Sequence, residues 1–232
     1  MEKIKYIIIL LLFIALIGTI IYITSYINTY TGYFKVDRAA DNELLSKYFQ
    51  DCNCTKELRN NENGRTMSIF HTSYVSKNVT KYADVEQSAI KFIKDALGVD
   101  APPAKTVDHS NATGGGIVRF GVQNYRGISV CGISDESGWI SVNGDGSVDD
   151  VLITLYPNLT APTRPKLTDE QIGKIVGAPP GWLQNIKSSL CIFPKWHSEG
   201  EYWTYHLAKN YDGLIIDSWT GELLFEPKAI IE

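Results

Sequence analysis

IVRFGVQNYRGISVCGISDESGWISVNGDGSVDDVLITLYPNLT, residues 117–160, is the stretch whose reading decides the fold. Apolar residues alternate along it, first Val118, Phe120 and Val122, then Val151, Ile153 and Leu155. A period of two marks a strand with one face turned inward. Turn residues separate the runs at Asn124-Tyr125-Arg126-Gly127 and Asn143-Gly144-Asp145-Gly146. Asn, Asp and Gly tolerate the positive φ that tight hairpins require. The stretch therefore predicts four short antiparallel strands. It holds no His, no clustered acid–base pair and no phosphate loop. It reads as a binding or packing surface, which moves the expected function away from catalysis.

Helices flank this run. Residues 84–97 (DVEQSAIKFIKDAL) predict a helix with Asp84 as cap, Gln87 at the capping-box position and Gly98 as terminator. Its inward face is Val85, Ala89, Phe92, Ile93 and Ala96. Residues 168–177 (TDEQIGKIVG) predict a second, capped by Thr168 with Gln171 in the box, facing inward through Ile172, Ile175 and Val176. Strands are expected at 189–195, 201–209, 213–218 and 222–226, with turns at Asn210-Tyr211-Asp212-Gly213 and Trp219-Thr220-Gly221. Upstream, 41–50 reads as a short helix, 51–65 as a loop and 66–75 as an edge strand; 101–116 reads as a second loop. The order helix, strands, helix, strands predicts an α+β fold, with two similar units that each pack a helix on a curved antiparallel sheet. The expected divisions are a spacer over 28–80, a first unit over 81–160 and a second over 161–232.

Composition narrows the function classes. The chain has 232 residues, 44% of them hydrophobic, and a net charge of −4. Without a basic stripe there is no footprint for nucleic acid. Residues 6–27 (YIIILLLFIALIGTIIYITSYI) carry no charge. As a helix they would span roughly 33 Å, enough to cross a hydrocarbon core of about 30 Å. Lys3 and Lys5 precede this run, so the expectation is a single-pass protein in the cell membrane. Residues 1–5 would be a cytoplasmic tail, 6–27 would lie in the lipid bilayer, and the rest would be extracytoplasmic. A cleaved signal peptide is the alternative, but its apolar core would be shorter, about 7–15 residues.

The four cysteines suit an outside location. Three pairings are open. Cys131–Cys191 is favoured because both lie on predicted strands, leaving Cys52 and Cys54 joined to each other or free. The C-x-C spacing does not match a zinc site of C-x₂₋₄-C type. N-x-[ST] acceptors for glycosylation occur at Asn53, Asn78, Asn111 and Asn158.

Two patterns carry a family resemblance. Arg119, Phe120, Gln123, Tyr125 (offset by one), Gly127, Ile128, Val130 and Gly132, followed by G-D-G-S-V and a strand ending in L-x-P, resemble the fungalysin/thermolysin propeptide motif. The C-terminal run Ile215, Ile216, Asp217, Thr220, Gly221, Glu222 and Leu223 is similar to the closing hairpin of a PepSY unit. In that hairpin Asp217 would accept backbone N–H bonds and Gly221 would take a positive φ. In secreted metalloproteases such units form the pro-region, which helps the enzyme fold and blocks it. No H-E-x-x-H protease motif occurs here. The resemblance implies a binding module for a protein partner, such as a metalloprotease or another envelope protein, acting as inhibitor or chaperone. A structural envelope scaffold is the alternative.

The remaining chemistry is read blandly. His71, His109, His197 and His206 do not converge in sequence; His197 and His206 could be cross-strand neighbours on a surface. Asp145, Asp149 and Asp150 surround a glycine turn without the terminal Glu of an EF-hand loop. No nucleophile-elbow sequence occurs. No catalytic residue, cofactor or metal is expected. Trp203 is assigned to the core, while Trp182 and Trp196 lie near turns.

Overall fold

The computed structural model describes residues 32–49, 52–71, 84–109, 114–132 and 135–226, with Ile17. In chain order the elements are β1 (Gly32–Lys35), α1 (Arg38–Phe49), β2 (Cys54–Asn61), β3 (Gly64–His71), α2 (Val85–Phe92) running on into a π-helical turn (Ile93–Leu97), β4 (Ala104–His109) and β5 (Gly116–Gly121). There follow β6 (Asn124–Tyr125), β7 (Ile128–Ser129), β8 (Glu136–Val142), β9 (Val148–Leu155), α3 (Asp169–Ile175), a 3₁₀ turn (Leu183–Asn185), β10 (Ser188–His197), β11 (Tyr202–Tyr211), β12 (Leu214–Asp217) and β13 (Leu223–Phe225).

Six strands form an antiparallel sheet in the order β2-β3-β9-β8-β5-β4. Its core is built from alternate residues: Met67 and Ile69 of β3, Val118 and Phe120 of β5, Ile140 of β8, and Val151 and Ile153 of β9 are all fully buried. α2 adds Val85, Ala89 and Phe92 to the same cluster. Asp84 caps that helix by accepting from the Gln87 N–H (3.1 Å), and Gly98 ends the π turn at φ +68°. The inward face of the run at 117–160 thus packs into the core, because the inward residues of β5 and β9 lie in the same apolar cluster as α2.

The second sheet has five strands around β11. β10 pairs with β11 along its whole length. On the other side β1 meets Tyr202–Tyr205, and β12 meets Ala208–Tyr211, with β13 outside β12. One face of β11 packs Trp203, Tyr205 and Leu207 into the interior. Polar groups join the two sheets. Within the first sheet the Gln123 amide ties the ends of β5 and β9, donating to the Tyr156 carbonyl (3.0 Å) and accepting its N–H (2.7 Å), while two other bonds cross to the second sheet. The Trp203 indole N–H donates to the Asn61 carbonyl (3.1 Å). A buried Tyr205 hydroxyl donates to the Pro157 carbonyl.

Several expectations are corrected. The fold is not α+β built from two similar units: the described residues are mainly strand, 46% against 19% helix, and the sheets differ in strand number and order. Residues 51–65 hold β2, whose polar sequence CTKELRNN hides a strand behind edge charges. β3 is an interior strand, and the stretch 101–116 contains β4. The predicted membrane helix, 6–27, lies outside the described residues apart from Ile17. Among the described residues no helix is long and apolar enough to cross a membrane. The three α-helices have 12, 8 and 7 residues and all carry charge, where a span takes about 20 apolar residues. The single-pass membrane placement, with its bilayer partner, is corrected accordingly.

Candidate binding edge

The C-terminal hairpin is fixed by one carboxylate. Asp217, 2% exposed, ends β12. Its Oδ1 accepts the N–H groups of Trp219 (2.7 Å) and Thr220 (3.0 Å). Its main-chain N–H donates to the Glu222 carbonyl, and its carbonyl accepts from the Gly221 N–H (2.8 and 2.9 Å). Gly221 sits at φ +77°, and a Cβ there would lie 2.8 Å from Ile175 Cδ1. Glycine is required both by the turn and by the neighbour.

Asp217 Oδ2 faces His206 Nδ1 at 2.7 Å. Burial alone would raise the Asp217 pKa, but the bonds from His206, Trp219 and Thr220 hold it below the ordinary carboxylate range. An ionised carboxylate can only accept, so His206 Nδ1 carries a proton, and in the neutral ring Nε2 is an acceptor. The Thr204 hydroxyl, 2.9 Å away, donates to that nitrogen. His197 Nε2, 3.0 Å from the same hydroxyl, is then the donor to Thr204. Burial first, then Lys195 and His206, holds the His197 pKa below its usual value. The order acid, imidazole, hydroxyl has the form of a hydrolase relay. Here, though, the hydroxyl lies between two imidazoles, two residues from His206 on the same strand, and its proton is committed. The network fastens β10, β11 and β12 together at the hairpin. Lys195 adds a bond to Glu222 (2.6 Å).

The hairpin carries β13, an edge of the second sheet. Beside it lies an apolar groove of about 460 Å³, lined by Ile175, Val176, Pro179, Trp182, Leu214, Ile216 and Leu223 among others. Ile175, Trp182 and Leu223 are 54%, 44% and 46% exposed. Ile175 was expected to face inward; Ile172 alone of the predicted trio is fully buried. Helix α3 is only 7 residues long, so it turns one residue into its core and leaves Ile175 on the rim. Its start is secured by a complete capping box between Thr168 and Gln171.

Sheet edges differ in their side chains. β2 presents Lys56, Glu57 and Arg59, and β4 presents Lys105 and Asp108, all exposed. Charges of this kind discourage strand addition. β13 is Leu223, Leu224 and Phe225, with no charge, and Phe225 is 41% exposed.

Other predicted residues fall as follows. Cys131 and Cys191 are joined, Cα atoms 5.0 Å apart, and tie the segment after β7 to β10 beside a bridge between Val130 and Ile192. Cys52 and Cys54 also pair, at a Cα separation of 5.2 Å. Asn53 and Asn158 are exposed. Asn78 and Asn111 lie outside the described residues. Asp217, Thr220 and Gly221 share the hairpin. Thr204, His206 and His197 were missed as a group. Alternation along β11 puts 202, 204 and 206 on one face, and the register adds His197 opposite Tyr202, but only the pairing reveals that. The chain matches no family model, no curated protein and no solved structure.

Proposed function

We propose that this chain is a protein-binding module that takes an extended segment of a partner protein by strand addition at β13. The observation that carries this reading is the uncharged β13 edge beside an apolar groove. A main-chain edge supplies hydrogen bonds to any extended peptide, and the adjoining groove selects apolar side chains. The Asp217 network supports the reading because it holds the edge in place before a partner arrives, which lowers the ordering cost of binding.

The resemblance of 117–132 and 215–223 to metalloprotease pro-regions supplies the class of partner. The module restrains or assists a metalloprotease by occupying its cleft or its folding intermediate. The test is a titration of the chain into a thermolysin-type metalloprotease, reading hydrolysis rate and refolding yield. One of the two changes with saturation, and Leu223→Lys and Trp182→Ala abolish the change. Both positions are exposed, so the unfolding free energy stays within about 0.5 kcal/mol of the parent chain. If the parent chain leaves rate and yield untouched, the protease reading fails.

A further inference from the structure

At the far end of the six-stranded sheet, three strands bring a metal-ligating set together. His71 ends β3, directly across from Cys54 at the start of β2. Asp149 and Asp150 open β9. His71 Nδ1 lies 3.3 Å from Asp149 Oδ1 and 3.4 Å from Asp150 Oδ1. The three ligand atoms all lie within 4.8 Å of one another, and the sulfurs of Cys52 and Cys54 are equally close to a His71 nitrogen. None of these residues belongs to the β13 edge or its groove.

Two independent features distinguish this set from a chance surface cluster. Consecutive strand residues point to opposite faces, yet both carboxylates reach one imidazole. The cause is a bulge. Ile140 pairs with Val151 and Val142 with Val148, so Asp149 and Asp150 together oppose Ser141 alone. A bulge re-aims side chains in this way and is common beside functional sites. The β3–β9 ladder stops at Ile69–Val151, and the His71 N–H instead donates to Asp150 Oδ1 (2.8 Å). Second, His71 Nδ1 is buried and makes no hydrogen bond, although two carboxylate oxygens stand beside it. A buried ring nitrogen without a partner is uncommon.

The spacing has a simple explanation. Zinc bonds nitrogen and carboxylate oxygen at about 2.0–2.2 Å, so two tetrahedral ligands lie about 3.3–3.6 Å apart. The observed 3.3 and 3.4 Å match that edge. One imidazole and two carboxylates also neutralise a divalent charge. We propose that His71, Asp149 and Asp150 form a zinc site, with the fourth position open to water and the Cys52–Cys54 pair as its wall.

The test uses the full chain under non-reducing conditions, freed of metal by a chelator and titrated with zinc chloride by calorimetry. The expected result is one zinc ion per chain. His71→Gln and Asp149→Asn each weaken binding at least tenfold, while Asp95→Asn, on the π turn, leaves it unchanged. Asp150→Asn keeps an acceptor for the His71 N–H, so the strand junction holds, and it too weakens binding at least tenfold. Cobalt(II) gives a second readout: the intense visible bands of a four-coordinate ion appear in the parent chain and are lost in Asp150→Asn. Absence of saturable zinc binding by the parent chain overturns the proposal, as does parent-like affinity in both His71→Gln and Asp150→Asn.

Discussion

Replacing Asp217 by alanine removes one acceptor group from three donors: the Trp219 and Thr220 N–H groups and the His206 Nδ1–H. Bonds to an ionised group are worth about 1.5–3 kcal/mol each, but contributions within one network do not add. The two backbone donors are half-buried and regain water in part. His206 is 9% exposed, and its Nδ1–H loses its acceptor. The expected loss of stability is about 3 kcal/mol, within the range for breaking a buried pair. For a chain of this size that lowers Tm by about 6–12 °C. Asp217→Asn keeps an oxygen for the two backbone donors and gives up only the charge facing His206, so it costs about half as much. Acid separates the two forms. The Asp217 carboxyl is depressed in the fold, so its contribution is complete above the ordinary aspartate value of about 3.9 and drains away as pH falls through the lower folded value. Urea unfolding followed by tryptophan fluorescence, from neutral pH down to strong acid, measures all of this. An alanine variant within about 0.5 kcal/mol of the parent, or an asparagine variant as damaged as alanine, refutes the reasoning.

Other outcomes follow from the same structure. Asp41 and Arg65 form an ion pair with side chains 10% and 8% exposed, and Asn60 donates to the same carboxylate; Asp41→Ala strands the Arg65 charge and costs about 3–5 kcal/mol in chemical denaturation. Burial pushes the Tyr156 pKa up to about 12. Its neutral form therefore stabilises the fold fully below the unfolded value of about 10, and that support is lost as pH rises through the folded value. Tyr156→Phe flattens this alkaline decline in stability measured against pH. The Cys131–Cys191 link closes a separation of 60 residues, so replacing both by Ser lowers unfolding free energy by about 4 kcal/mol on chain-entropy grounds; a double Ser variant as stable as the parent shows the link idle.

Local signals in the sequence were readable where local physics decides structure. The caps at Asp84 and Thr168, the alternation along β5 and β9, and the Asp217 turn are all settled within a few residues. What escaped is non-local. β2 looks like a loop because its polar residues answer to edge exposure and not to propensity. Its strand character comes from β3, which Leu58 meets at Met67. The groove escaped because Ile175 has the right spacing for an inward face, and only the short length of α3 turns it outward. His71 and Asp149 are 78 residues apart in sequence though on neighbouring strands, and the bulge that brings them together is a matter of register.

The arrangement around β11 also sets a schedule. β1 pairs Gly32 with Tyr205, so its partner strand emerges from the ribosome about 170 residues later, a wait of about 9–35 s at ordinary synthesis rates. Every strand of the first sheet is made within that interval. The first sheet can therefore condense while β1 waits, and the later hairpin of β12 and β13 docks on the other half of the same β11 edge. β13 therefore forms on a sheet whose other strands have already been made.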